Sequence, residues 1–319
     1  MEPEPGLLLR CGRLFHPQRL ELWGRADVLV KDGTIASVAP RIATGDARVV
    51  DLRDCTLLPG LIDLDAGLLS DQVSGDTGMW LYEALAASRD LLRRGITTAR
   101  VPGGADKRWS LLDLRRAIAE ELAPGAELLV APHLLDDELS AAQIGRAVER
   151  ERRNGADWIA VDRRGVTADE LRAVVDSAAG LPVAVAAQTA AEIMVANDAA
   201  VRSAEVSCEL DAGTAAAVAK GSTYLVPRDG FGAPDAVGLR LAFGGRLTGG
   251  LAQLAELTGA APALAAATVT AAACASLSDR GTIEPGKRAD LIAVGGDPIA
   301  DIALLGNPSV VIKQGRLQR

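Results

Sequence analysis

Eight short apolar runs, most of them followed by a stretch of helical periodicity, restrict the fold of this chain more than any other feature. The runs are Gly60 to Asp65, Thr97 to Val101, Glu127 to Ala131, Trp158 to Asp162, Val183 to Ala187, Ser203 to Val206, Thr223 to Val226 and Arg240 to Gly244. Between them, residues 81–94, 110–121, 138–154, 168–179 and 210–219 carry apolar side chains three and four apart, and Gly95, Gly155 and Gly180 stand where helices stop. Alternation of this kind builds parallel βα units. Eight of them predict an α/β chain with a (β/α)8 TIM barrel over 59–279, an Ala-rich tail helix around 260–275, and a functional rim at the strands' C-terminal ends.

The two ends are written differently. Leu7 to Phe15, Ala26 to Lys31, Thr34 to Val38 and Ala47 to Leu52 are short and β-branched or alternating, and Asp32-Gly33 is a tight-hairpin signal. Strands return at Asp290 to Val294 and Ser309 to Lys313, with a turn at Gly315. Neither piece can bury both its faces alone. Residues 1–58 and 280–319 are therefore expected to pair into one small β-sandwich domain.

Bulk properties exclude several function classes. The 319 residues hold 34 basic and 42 acidic side chains, a net charge of −8, and only 3% aromatics, so neither a phosphate backbone nor base stacking is provided for and nucleic acid is not expected as a partner. No apolar run reaches the roughly 18–20 residues of a membrane span, and Met1-Glu2-Pro3-Glu4-Pro5 lacks the profile of a secretory signal. A cytoplasmic location is expected. Cys11, Cys55, Cys208 and Cys274 are widely spaced, which suits reduced thiols better than disulfides or a zinc ribbon.

Four phrases carry a family resemblance that covers nearly the whole chain. They are Leu58-Pro59-Gly60-Leu61-Ile62-Asp63, Leu92-Arg93-Arg94-Gly95-Ile96-Thr97-Thr98-Ala99-Arg100, the segment from Asp279-Arg280-Gly281-Thr282 through Glu284-Pro285-Gly286-Lys287 to Ala289-Asp290-Leu291-Ile292, and its continuation to Pro298. Together they resemble the amidohydrolase superfamily, in its imidazolonepropionase and Xaa-Pro dipeptidase branch. The resemblance implies metal-dependent C–N hydrolysis at the barrel rim. It also implies where the metal ligands would fall: Asp65 and Gly67 take the place of the histidine pair ending strand one, Ala160 that of the strand-four lysine, Ala186 and Val206 those of the histidines ending strands five and six, and Arg246 that of the strand-eight aspartate. Ala, Val and Gly donate no lone pair, whereas a catalytic zinc needs about three protein ligands. Without the ion, its bound hydroxide and its polarisation of the carbonyl are lost. The chain has only two histidines, His16 and His133, so no relocated histidine cluster is available. The expectation is a vacated metal site and no cofactor.

Other residues remain as candidates. Asp65 and Arg246 occupy slots that face one ion in the parent architecture; they either pair directly or stand as two solvated rim residues. Asp162, Glu205, Arg228 and Asp229 fall at or near strand ends, and carboxylates beside an arginine can bind a polar ligand or exchange protons. Asp65, Asp162, Glu205 and Arg246 are thus the candidates for chemistry, and Asp65, Arg228, Asp229, Arg246 and His133 those for ligand contact. Cys208 follows strand six with no histidine predictably near it except His133 beyond strand three, and Arg150-Glu151-Arg152-Arg153 reads as a solvated helix face. The connection 69–79 and the strand-seven-to-eight link 228–239, with its turn at Asp229 to Pro234, are short where the resemblance implies longer covering loops. The expected function is a catalytically silent amidohydrolase-like protein used for binding, scaffolding or regulation, as a homo-oligomer, as a heteromer with an intact amidohydrolase paralogue, or with a small-molecule ligand. The alternative is a C–N hydrolase or isomerase using metal-independent acid–base chemistry at the rim.

Overall fold

The computed structural model describes residues 6–68, 77–102, 109–137, 139–233, 236–246 and 249–318. The chain forms two compact units, one of Met1–Ile62, Asp90–Thr98 and Thr258–Arg319, the other of Asp63–Arg89 and Ala99–Leu257. In chain order the elements are β1 (Leu7–His16), β2 (Glu21–Trp23), β3 (Ala26–Lys31), β4 (Thr34–Ala39), β5 (Arg48–Pro59), β6 (Leu61–Asp63), α1 (Thr77–Arg93), β7 (Ile96–Val101), α2 (Ser110–Ala119), β8 (Glu127–Val130), β9 (Leu134–Asp136), α3 (Ala141–Arg153), β10 (Ile159–Asp162), α4 (Ala168–Ala178), β11 (Val183–Ala187), α5 (Ala190–Asp198), β12 (Ser203–Val206), α6 (Ala212–Ala219), β13 (Tyr224–Pro227), α7 (Gly250–Thr258), α8 (Ala260–Ala266), α9 (Val269–Cys274), β14 (Leu291–Gly295), β15 (Val310–Lys313) and β16 (Arg316–Leu317). Among the described residues no helix is long and apolar enough to cross a membrane.

In the first unit both ends of the chain share one eight-stranded sheet, ordered β16-β15-β14-β5-β1-β3-β4 with β2 on β1. The long β5 makes this possible: it runs parallel to β1 and antiparallel to β14. Asp32 (φ 47°) and Gly33 (φ 74°) form the β3–β4 turn, both in the left-handed region that a two-residue hairpin requires. A side chain at Gly12, where the β1–β5 register slips, would lie 2.0 Å from the Arg53 carbonyl oxygen, so only glycine fits there. Leu7, Leu9, Val28, Ile35, Leu57, Leu291 and Ile312 fill one apolar core drawn from both ends of the chain.

In the second unit β9 to β13 form a parallel five-stranded sheet in sequence order. A three-stranded sheet has the order β6-β7-β8. The expected eighth strand is corrected. Residues 240–244 make only a single parallel bridge, Leu225 to Leu241, rather than a strand. The Leu225 amide donates to the Arg240 carbonyl, the Ala242 amide to Leu225, and the Leu64 amide to Phe243, each at 2.9 Å. Too few ladder bonds form for a strand, and the adjoining Gly244-Gly245 favours a turn.

The single tail helix is also corrected: the segment is broken into α8 and α9 at Thr268, whose backbone (φ −130°, ψ −96°) leaves helical space while its hydroxyl donates to the Leu264 carbonyl at 2.7 Å. Five elements were not anticipated: strands β2, β9 and β16, and helices α5 and α7. Helix α5 opens on Thr189, whose hydroxyl accepts the Glu192 amide while Glu192 accepts the Thr189 amide, and α7 follows Gly249. Most of the 69–79 connection, residues 69–76, lies outside the described residues, as does Pro234 of the strand-seven-to-eight turn.

Candidate functional site

Strand alternation decides which side chains meet. In the parallel ladders Ala160 registers with Ala184, Ala184 with Ser203, Ala186 with Glu205 and Glu205 with Val226, so these residues share one face of the sheet. Trp158 and Asp162 flank Ala160 two residues away, and Arg228 follows Val226 by the same step. That face carries the polar side chains of interest, separated by alanines that leave room for longer neighbours.

Two guanidinium–carboxylate pairs occupy it. Asp65, with no solvent exposure, accepts from Arg228 Nε at 2.5 Å and Nη2 at 3.0 Å, a bidentate pair. Arg246 is a second, looser neighbour, its Nε 3.5 Å from Asp65 Oδ1 and its side chain 47% exposed. Asp65 therefore does meet Arg246, but its tight partner is Arg228. Burial alone would lower the Arg228 pKa; the bond to Asp65 and its charge, with those of Glu205 and Asp162, hold it above the ordinary value instead.

The second pair is Arg100 with Glu205, both almost fully buried. Arg100 Nη1 also donates to Ser203 Oγ at 2.8 Å, Ser203 Oγ donates to Glu205 Oε1 at 3.1 Å, and the guanidinium lies 4.6 Å from the Trp158 ring centroid. Arg100 Nε is buried without a hydrogen-bond acceptor.

Asp63 ties these groups together. Its Oδ1 accepts the amides of Asp65 at 2.9 Å and Gly245 at 2.7 Å, fastening the end of β6 to the turn that carries Arg246. Complete burial pushes its carboxyl up to about 6, with the Asp65 charge adding to the rise and the two amides and Arg100 opposing it. Gly244 keeps the approach open, since a side chain there would meet Val226 Cγ1 at 2.6 Å and Asp65 Cβ at 3.0 Å.

The remaining sequence candidates divide. Gly67 is exposed and bare, with an added Cβ 4.0 Å from Arg246 Nε. Ala160 and Val206 are buried and Ala186 is half-buried. Val206 falls on the opposite face of its strand from Glu205. Asp162 is half-buried and acts on Arg228 only through its charge, and Asp229 is exposed. His133 is drawn away from this cluster: Nδ1 lies 3.0 Å from the buried Glu151 carboxylate, and the ring stacks edge-on with Trp109 at 4.4 Å. Glu151 is thus not part of a solvated helix face; burial raises its pKa, with His133 opposing. The Cys208 thiol is also raised, by burial and then by the Glu192 charge, the opposite of an activated nucleophile. Asp63, Arg100, Trp158 and Ser203 were missed by reading the sequence for ligand slots. The signal was present as the two-residue steps Asp63 to Asp65 and Ser203 to Glu205, and as a lone arginine inside an apolar strand.

Comparison with known proteins bears on the fold. Residues 251–317 match the model of the amidohydrolase family. A dihydroorotase of Syntrophus aciditrophicus (strain SB) is 38% identical over 64 residues, which is 19% of this chain and 15% of that enzyme. The chain thus matches only a small part of that curated relative. Among solved structures, an amidohydrolase has a TM-score of 0.86 at 25% identity, over 98% of both chains. A Xaa-Pro dipeptidase with methionine bound in its active site has a TM-score of 0.82 at 22% identity, over 98% of this chain and 100% of that one. The fold is therefore an α/β fold with parallel sheets of the kind these hydrolases share, and the C-terminal match supports the same superfamily.

Proposed function

We propose that this chain is a degenerate amidohydrolase that uses its barrel mouth to bind rather than to hydrolyse. The bonds of residues 240–244 to Leu225 on one side and Leu64 on the other support closure of the parallel strands into a (β/α)8 barrel over 59–279. The shared core of the two ends supports a sandwich of 1–58 with 280–319.

The observation that carries the functional reading is the fully buried Asp65 carboxylate with both oxygens engaged by Arg228. Of the six ligand slots, only Asp65 offers a carboxylate, imidazole or thiolate, and a divalent ion there would have to displace one guanidinium and sit beside another. Among the described residues, no group of three or more His, Cys, Asp or Glu is arranged to hold a metal. The donor set does not fit a divalent ion. The cationic charge that an ion would supply at this position is supplied by Arg228 and Arg246, which neither activate water nor leave an open coordination site.

Metal analysis of the purified protein, with and without added zinc or manganese, tests this. The same preparation is assayed on dipeptides, N-acyl amino acids, lactams and hydantoins. Substoichiometric metal and no turnover are expected; a stoichiometric ion with turnover overturns the reading. Association with itself or with an intact amidohydrolase paralogue is part of the same proposal and is read by sizing the protein alone and mixed with that paralogue. The alternative, metal-free acid–base catalysis by Asp65, Asp162 or Glu205, draws less support: in this cluster Asp63 is the described carboxyl raised to about 6, and it is fully buried.

A further inference from the structure

The geometry points to β2 as a docking edge for a second copy of this chain, the two copies joined about a two-fold axis at Trp23; this rests on the self-association put forward above and names its surface. Strand β2 extends the hairpin of β1, with Leu14 opposite Trp23 and His16 opposite Glu21, but it pairs with β1 alone. The next strand over stops short of it: β4 ends at Ala39, opposite Asp27, and Pro40 follows. Among the described residues, one edge of β2 is therefore left open along Glu21 to Arg25, and alternate residues of a strand turn their amides and carbonyls toward such an edge.

Trp23 is held out on this edge. Its side chain is 42% exposed, yet three neighbours fix it: the His16 ring, 4.3 Å away between centroids, the Glu21 carboxylate, which accepts the indole N–H at 2.9 Å, and the Arg19 guanidinium, 5.8 Å from the indole centroid. A large apolar ring already fixed in place loses little freedom when a partner covers it. Charge decides which partner. Exposed edges are commonly blunted by charges that repel another strand. Here the pairing of Leu14 with Trp23 continues in register to Cys11 with Ala26, so Glu21 and Arg25 share the face of Trp23, two residues to either side of it, both exposed and of opposite sign. In an antiparallel pair of copies centred on Trp23, each Glu21 lies across from the partner's Arg25 and the two indoles meet between these ion pairs. Slipping that register by one residue sets Glu21 against Gly24 and leaves both charges unopposed.

Sedimentation velocity on the full chain, from about 1 μM to about 1 mM, is expected to show a reversible monomer–dimer equilibrium, since an edge this short buries less than the roughly 1,200 Å² of a stable complex. Amide exchange over residues 21–25 is expected to slow as the concentration rises. Glu21→Arg and Arg25→Glu, both at exposed positions, are each expected to keep the melting temperature and to weaken dimerisation at least about tenfold, because both contacts then bring like charges together. An equimolar mixture of the two variants is expected to dimerise again, since one copy then offers two cations and the other two carboxylates. A wild type that stays monomeric throughout, a dimer indifferent to either substitution, no recovery in the mixture, or a dimer with unchanged exchange over 21–25 overturns the proposal. The two readings fail separately. Metal-free, inactive protein that stays monomeric sinks only the edge contact; a stoichiometric ion with turnover sinks the silent reading whatever the oligomeric state.

Discussion

A carboxylate with no exposure keeps its charge only where a cation shares its space, and Asp65 has found one in Arg228. Removing the arginine leaves the buried acid with only the looser, half-exposed Arg246 beside it, so Arg228→Met is expected to cost about 3 kcal/mol in urea unfolding. Adding Asp65→Asn to that variant is expected to return a large part of the loss, because the residue left behind carries no charge. A cost under about 1 kcal/mol, or no recovery in the double variant, contradicts a buried pair of this strength. At this scale the sequence was half legible. Asp65, Glu205, Arg228 and Arg246 stand out as charges at strand ends, but the choice of partner does not. Arg246 shares the neighbouring slot in the parent architecture; Arg228 wins because it continues the face that Glu205 and Val226 register on.

Elements were more legible than contacts, since each is written in a local period. Strands β3, β11 and β12 follow their apolar runs to the residue, whereas Arg240 to Gly244 carries the right composition and still forms only a bridge. Helix α5 escaped because its apolar residues lack a clear stripe, although Thr189 and Glu192 write a capping box in front of it. Thr189→Ala is expected to lower stability by about 1 kcal/mol, with faster amide exchange confined to the first turn of α5. Unchanged exchange there would mean that packing, not the cap, sets the start of the helix.

For the molecule as a whole, pH exposes the cost of the buried acid. Asp63 has a folded-state carboxyl near 6, above its unfolded value, so the folded chain binds more protons across roughly pH 4–6. Its contribution is greatest at the acid end of that window and is lost as pH rises through 6. Asp279, Glu170 and Asp211 are shifted the other way by their hydrogen-bond donors and lose stability on acidification, so the Asp63 effect must be read as a difference. Relative to Asp63→Asn, the wild type is expected to gain on the order of 3 kcal/mol between neutral pH and about pH 4. A flat or inverted difference would mean that Asp63 is ionised at little cost.

The alternation of strand and helix, the pairing of the two ends and the residue types at the positions singled out by the resemblance were determined by the sequence itself, because periodicity, turn chemistry and donor atoms are local properties. Which guanidinium meets which carboxylate was decided only in three dimensions. Arg100 and Glu205, or Asp65 and Arg228, lie more than a hundred residues apart, and strand register, a product of the whole sheet, sets which of them share a face.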